Sequence, residues 1–300
     1  MAALLINNID TATRIFGRSA AIYGQILNGI GDEILDCQYH FVDSDQFENG
    51  LAAGAISREG MGRIYWIEKL QQVQLVSVLT LVRTARWVDS CAREYDAGSI
   101  SSWAGACRSL VECVGDSGDA LQVAGLSLAE NAASIARQID GNGAASVSTE
   151  LENALIHFTQ ARHFKMKEVA PENHKAKMSA EYIKTAESMG LPHATEFYSK
   201  LCQLNHPAEP SMAHLYNPSD DGFRLTLALE RPALQKFIYD NKETLQEVLS
   251  YALNPALIAL RVVGAFGVSE VPPQLKMLDL SAIKQWGRVV TAMRAANLDI

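Results

Sequence analysis

The segment from about Met61 to Tyr95 constrains this chain more than any other, because it holds no proline and no glycine after Gly62. At 1.5 Å of rise per residue, an uninterrupted helix of that length reaches about 50 Å. Its centre, Val73 to Val82, is apolar nearly all round. A helix of that kind lies among other helices rather than on a surface. Leu75, Val78, Leu79 and Val82 are therefore the predicted core positions.

Most of the remaining sequence carries the same helical period. Ser101 or Ser102 is placed to cap a helix carrying Cys107, Leu110, Val111 and Val114, which the Gly115–Gly118 stretch is expected to end. A further helix runs from about Asp119 to Ile139 and stops at the Asp140–Gly143 turn. Another opens at Ser148 and runs towards Val169, before Pro171. Asn173 or Ser179 starts the next, ending at Gly190. A short helix from about Thr195 to Asn205 precedes Pro207, which bars His206 from the α region. Residues 206–222 hold three prolines and read as a loop, whereas Phe223–Glu230 alternates apolar and polar as a strand does. Helices from about Pro232 to Leu253, Pro255 to Phe266 and Ser281 to Ala296 complete the reading. The connections are short, so the expectation is an all-α antiparallel bundle with at most a small β element near residues 223–230. A single domain over residues 1–300 is favoured, the alternative being a bundle over 1–206 with a C-terminal helical region over 207–300.

Composition narrows the function classes. Of 300 residues, 48% are apolar and 20% charged, which fits a globular protein with a sizeable core and excludes disorder, collagen-like repeats and disulfide-stapled miniproteins. With 26 basic against 34 acidic residues the net charge is -8. That balance disfavours nucleic acid as a partner, leaving only a local basic patch as a route to it. The five cysteines are odd in number and none has CxxC spacing, which argues against a disulfide framework or a zinc ribbon. The N-terminal apolar run lacks a basic leader and is too short for a signal peptide, so a reducing cytoplasm is expected. The apolar stretch from Val248 to Val268 contains Asn254-Pro255 and, near its middle, Arg261. A mid-bilayer Arg costs about 2.5–3.5 kcal/mol. A buried helix pair broken at Pro255 is expected there, with no membrane span.

No Walker loop, no GxGxxG after a strand, no HExxH and no GxSxG occurs, and no cofactor is expected. Four weaker constellations remain. Asp32, Glu33, Asp36, His40, Asp43 and Asp45 form an acidic cluster; on a helix, Glu33, Asp36, His40 and Asp43 would fall near one face. Glu33, Asp36 and His40 are thus the metal-ligand candidates, against the simpler reading of a solvated acidic face. Arg108 and Glu112 interrupt an apolar stripe at i, i+4 in the order less favourable for a local helix pair, and so point to a partly buried polar cluster. Tyr198, Cys202 and His206 recur at four and four, with His206 in the last turn, where the helix dipole favours imidazolium. His157, Arg162, His163, Phe164, Lys165, Lys167, His174, Lys175 and Lys177 make the one concentrated basic stretch, diluted by Glu168 and Glu172.

The Arg108-x-x-x-Glu112 turn, followed by Tyr198-x-x-Leu201-x-x-x-x-His206, resembles the spacing in certain all-helical bacterial families distantly similar to HEPN-type domains. The resemblance covers Arg108, Glu112, Tyr198 and His206. It implies a helical fold and, as in many HEPN-type proteins, an RNase or nucleotide-handling role in stress or phage defence. The chain departs from the RNase hallmark of that group, since no Arg is followed by His after four to six residues. The leading expectation is a helical protein binding a small ligand or protein partner through a polar cluster. The alternatives are an RNA or nucleotide phosphodiester hydrolase, with His206 as acid/base and Arg108 as phosphate clamp, and a metal-dependent bundle enzyme using Asp36 and His40. The sequence sets neither the ligand nor an oligomeric state.

Overall fold

The computed structural model describes residues 5–165, 168–171 and 173–300. The fold is all-α with one small antiparallel sheet, and 69% of it is helical. Asn8 caps α1 (Ile9–Phe16) by accepting the Thr11 N–H. α2 (Arg18–Leu35) and α3 (Ser44–Ala52) follow, then the long α4 (Arg58–Ala97), which runs unbroken through the expected span. α5 (Ile100–Ser117) continues through a π-helical turn (Gly118–Gln122) into α6 (Val123–Glu130), then α7 (Ala132–Ile139) and α8 (Thr149–Gln160). α9 (Ser179–Met189) ends at Gly190, whose φ of 101° is the left-handed conformation that glycine adopts freely. α10 (Ala194–Asn205) and α11 (Glu209–Met212) lead to the hairpin β1 (Tyr216–Ser219) and β2 (Gly222–Leu225). The chain closes with α12 (Glu230–Asp240), α13 (Lys242–Ala265), α14 (Pro273–Lys276) and α15 (Trp286–Ala295).

Chain contacts define two compact units. One comprises Met1–Asp32, Thr80–Gly118 and Lys177–Leu253; the other comprises Glu33–Leu79, Asp119–Ala176 and Asn254–Ile300. Residues on both sides of position 207 fall in the first. In that unit α5 packs on α9, α10 and α12. Its core holds the rings of Trp103, Phe197 and Phe237, with Phe237 edge-on to Trp103 at 5.8 Å and tilted to Phe197 at 6.1 Å. In the second unit α15 packs on α6 and α7, burying Leu128, Ile135, Val289 and Met293.

Several boundaries differ from those read off the sequence. α5 ends at Ser117, within the expected Gly115–Gly118 stretch, but the glycines do not turn the chain. Gly118 keeps right-handed helical angles (φ -62°, ψ -49°), and the helix runs on through the π-helical turn. A Cβ on Gly115 would stand 2.0 Å from the Tyr182 carbonyl oxygen, and one on Gly118 2.2 Å from Met189 Sδ. These glycines are where α5 meets α9, so their small size serves packing and not termination. Pro255 does not split a helix pair either, because α13 runs through it. An interior proline costs about 3 kcal/mol, but Ala252, Leu253 and residues 256–260 around it are all buried, and that burial outweighs the loss. α13 is long and apolar enough to cross a membrane by composition, yet 61% of its most apolar window is buried inside the protein.

α4 buries Val73, Val76, Val78 and Leu81, but Leu75 and Val82 are half-buried and Leu79 is 44% exposed. Leu79 is therefore not a core residue. Ser77, Thr80 and Thr84 are fully buried on the same helix. An all-round apolar run leaves the helix free to rotate about its axis, and the neighbouring helices decided which stripe they cover. The expected strand at 223–230 stops at Leu225, and its partner β1 lies in what reads as loop because Pro218 interrupts the strand pattern.

Candidate functional site

α5 presents Arg108 and Glu112 one turn apart on its flank towards α10, while Cys107, Leu110, Val111 and Val114 face the core. Tyr198, from α10, reaches both. Its hydroxyl accepts the Arg108 Nε–H at 2.8 Å and donates to Glu112 Oε1 at 2.5 Å. Arg108 Nε also lies 3.2 Å from Glu112 Oε1, closing a three-membered network. Burial, then the hydrogen bond to Glu112, raises the Tyr198 phenol above its ordinary value. Burial opposes the charge on Arg108, but Tyr198, Cys202 and Glu112 together outweigh it. Arg108 and Glu112 each keep 30% of their side-chain surface in water. The cluster is electrically balanced, and it ties α5 to α10 across 90 residues of sequence.

His206 does not join it. Pro207 holds His206 extended, with φ -86° and ψ 153°, at the C-cap of α10. It sits eight residues past Tyr198, which is about 12 Å along a helix axis. Its side chain is exposed and makes no hydrogen bond or ion pair among the described residues; its backbone N–H donates to the Cys202 carbonyl at 2.9 Å. Spacing of four and four kept these residues near one face, but axial rise carried the imidazole out of reach.

The acidic candidates also separate. α2 ends at Leu35, so Asp36 and His40 lie in the connection to α3, not on a shared helical face with Glu33. The Tyr39–Val42 run that follows is aromatic and β-branched, and such residues propagate a helix poorly. Glu33 Oε1 accepts a hydrogen bond from Gln274 Nε2 at 3.0 Å, and Asp43 caps α3 by accepting the Gln46 N–H at 3.0 Å. Among the described residues no group of three His, Cys, Asp or Glu side chains is placed to hold a metal. In the basic stretch, α8 stops at Gln160 and does not reach Val169. Arg162 pairs with Glu168 at 2.5 Å and lies over the Phe164 ring at 4.0 Å. Its backbone bridges to His174 and Ala176. Lys167 and Glu172 lie outside the described residues.

A cavity of about 390 Å³ in the second unit was not legible in the sequence. α13 contributes Arg261, α14 contributes Lys276, and α15 contributes Trp286 and Arg294. Arg261 Nη1 donates to the Leu275 and Leu278 carbonyls, each at 2.9 Å. Its guanidinium stands 5.1 Å from the Trp286 ring centroid. Burial lowers the affinity of Arg261 for its proton, although a guanidinium stays charged at any ordinary pH. Asp279, also at the cavity wall, accepts the Ser281 backbone N–H at 2.9 Å; the Ser281 hydroxyl first, and then this N–H, hold its carboxyl below the usual range. The one signal in the sequence was Arg261 itself, a charge in the middle of an apolar run. Lys276 and Arg294 join it only through folding. Comparison of the chain with protein-family models, curated proteins and solved structures returns no match.

Proposed function

We propose that this protein binds a small anion carrying a flat apolar group, in the cavity lined by Arg261, Lys276, Trp286 and Arg294. One observation carries the reading: three cationic side chains and an indole converge on one cavity, where the Asp279 carboxylate already has a partner and Asp299 offsets part of the charge on Arg261. About 390 Å³ lies at the lower end of the range for small-molecule sites, ~300–1,000 Å³. The cations supply charge-assisted hydrogen bonds, and Trp286 supplies an apolar wall for a planar group. The Arg108–Glu112–Tyr198 cluster serves as a structural tie, since its charges balance and Tyr198 bonds both partners across α5 and α10.

Titration calorimetry with phenyl phosphate and with inorganic phosphate tests this. Phenyl phosphate should bind saturably and more tightly than phosphate alone. Lys276→Gln and Arg294→Gln, both at exposed positions, should each weaken it about tenfold, the worth of one hydrogen bond to a charged group. Absence of saturable heat at millimolar phenyl phosphate, or undiminished binding in the double variant, would overturn the assignment.

A further inference from the structure

The β1–β2 hairpin leaves one strand edge open and places an apolar row beside it. The register pairs Tyr216 with Leu225 and Pro218 with Phe223, and the Thr226 N–H donates to the Leu215 carbonyl at 2.8 Å. Antiparallel pairs alternate between bonded and non-bonded. Residues 217/224 and 219/222 are therefore the hydrogen-bonded pairs, in phase with the single 215/226 bond (the Leu215 N–H itself donates to the Met212 carbonyl). The N–H and C=O groups of Phe223 and Leu225 point away from β1. On the other edge the outward positions are Tyr216 and Pro218, and proline has no N–H to offer. Pro218 thus blunts β1, whereas β2 carries no such block.

Phe223 and Leu225 lie on one face of β2 and are 74% and 83% exposed; Leu227, just beyond the strand, is 74% exposed. Tyr216 packs edge-on to Phe223 at 5.0 Å, on the same face. The hairpin base is fixed, with His214 buried and 3.8 Å from Glu230. At the tip Asp220 and Asp221 are exposed and pair with no cation among the described residues.

We propose that β2 is a docking edge for an extended segment of another protein, one that alternates apolar residues and ends in lysine or arginine. The segment runs antiparallel to β2, so its apolar side chains meet Leu227, Leu225 and Phe223 in turn and its basic end meets Asp221 and Asp220. Strand addition of this kind draws affinity from main-chain hydrogen bonds and specificity from alternate side chains.

A second copy of this chain fits the edge less well. Two-fold pairing of β2 with itself that keeps the outward groups bonded centres on Phe223, Arg224 or Leu225. Those registers set Arg224 opposite Gly222, Arg224 or Thr226 respectively. None gives Asp220 or Asp221 a cation, and each copy carries a net charge of -8. A basic partner complements both the tip and the whole molecule.

The test uses the full chain and a fluorescein-labelled peptide of alternating valine and threonine ending in two lysines, read by fluorescence anisotropy. The lysine peptide should bind saturably, at least tenfold tighter than the same peptide ending in two glutamates. Asp220→Asn with Asp221→Asn should erase that preference. Leu225→Pro removes an outward N–H without touching the β1 ladder and should weaken binding at least tenfold. Phe223→Ser with Leu225→Ser, which leaves the backbone intact, should do the same and covers the case in which the proline variant misfolds. The proposal fails if the lysine peptide does not bind or binds no better than the glutamate peptide. It also fails if sedimentation shows the chain dimerising through this edge, or if the hairpin instead carries the chain onto phosphatidylcholine vesicles.

Discussion

Replacing Gly115 with alanine tests the close approach of α5 to α9 directly. On an exposed helix the change should help, since alanine is favoured over glycine by about 1 kcal/mol. Here the new methyl would lie 2.0 Å from the Tyr182 carbonyl oxygen, 2.5 Å from its carbonyl carbon and 2.7 Å from its Cα. Ordinary van der Waals separation is about 3.5–4.0 Å between carbons, so the helices must part by more than an ångström. Overpacking a tight interior costs about 1–3 kcal/mol, occasionally more. The upper part of that range applies, because the obstruction is backbone and has no rotamer by which to retreat. Subtracting the propensity gain leaves a net loss of about 2 kcal/mol. Urea denaturation followed by circular dichroism gives the measurement. Gly29→Ala, with nothing within 4 Å of its Cβ position, is the control and should be stabilising by about 0.5–1 kcal/mol. A Gly115→Ala protein as stable as the parent would refute the argument that glycine is there for packing.

Other outcomes follow from the same physical reasoning. Leu81→Ala, at a fully buried site, should lose about 2–5 kcal/mol, whereas Leu79→Ala, at a 44% exposed one, should lose less than about 1 kcal/mol; equal losses would contradict the rotation of α4 described above. Tyr198→Phe should cost about 0.5–1.5 kcal/mol in urea denaturation, the worth of ordinary hydrogen bonds, because the cluster keeps contact with water. Burial raises the Tyr65 phenol to about 12 and raises Tyr198 as well. The folded chain therefore holds protons that the unfolded chain releases from about pH 10, so stability should fall as pH rises through that region. Tyr65→Phe should flatten the decline in urea midpoint between pH 9 and 11.5. Far-UV circular dichroism should report well over half helix, in keeping with 69%.

The sequence by itself determined the fold class. The proline-free run of α4, the Gly190 stop and the extended His206 before Pro207 are local decisions, made by backbone sterics and by turn chemistry within a few residues. That Arg108 and Glu112 need partners was legible too, because two polar residues on an apolar helix do; that Tyr198 meets them and His206 does not was decided by where α10 packs. What the sequence could not supply was every choice made by a neighbouring element. Whether Gly115 breaks a helix or seats one depends on Tyr182, and whether Pro255 ends α13 depends on how much apolar surface surrounds it. Leu79 faces water because other helices cover a different stripe of α4. Arg261 shares a cavity with Lys276 and Arg294 because α13, α14 and α15 converge there. Dihedral preferences act over one or two turns of chain. Burial is a property of the assembled surface, and only the tertiary structure decides which of several locally equivalent faces it takes.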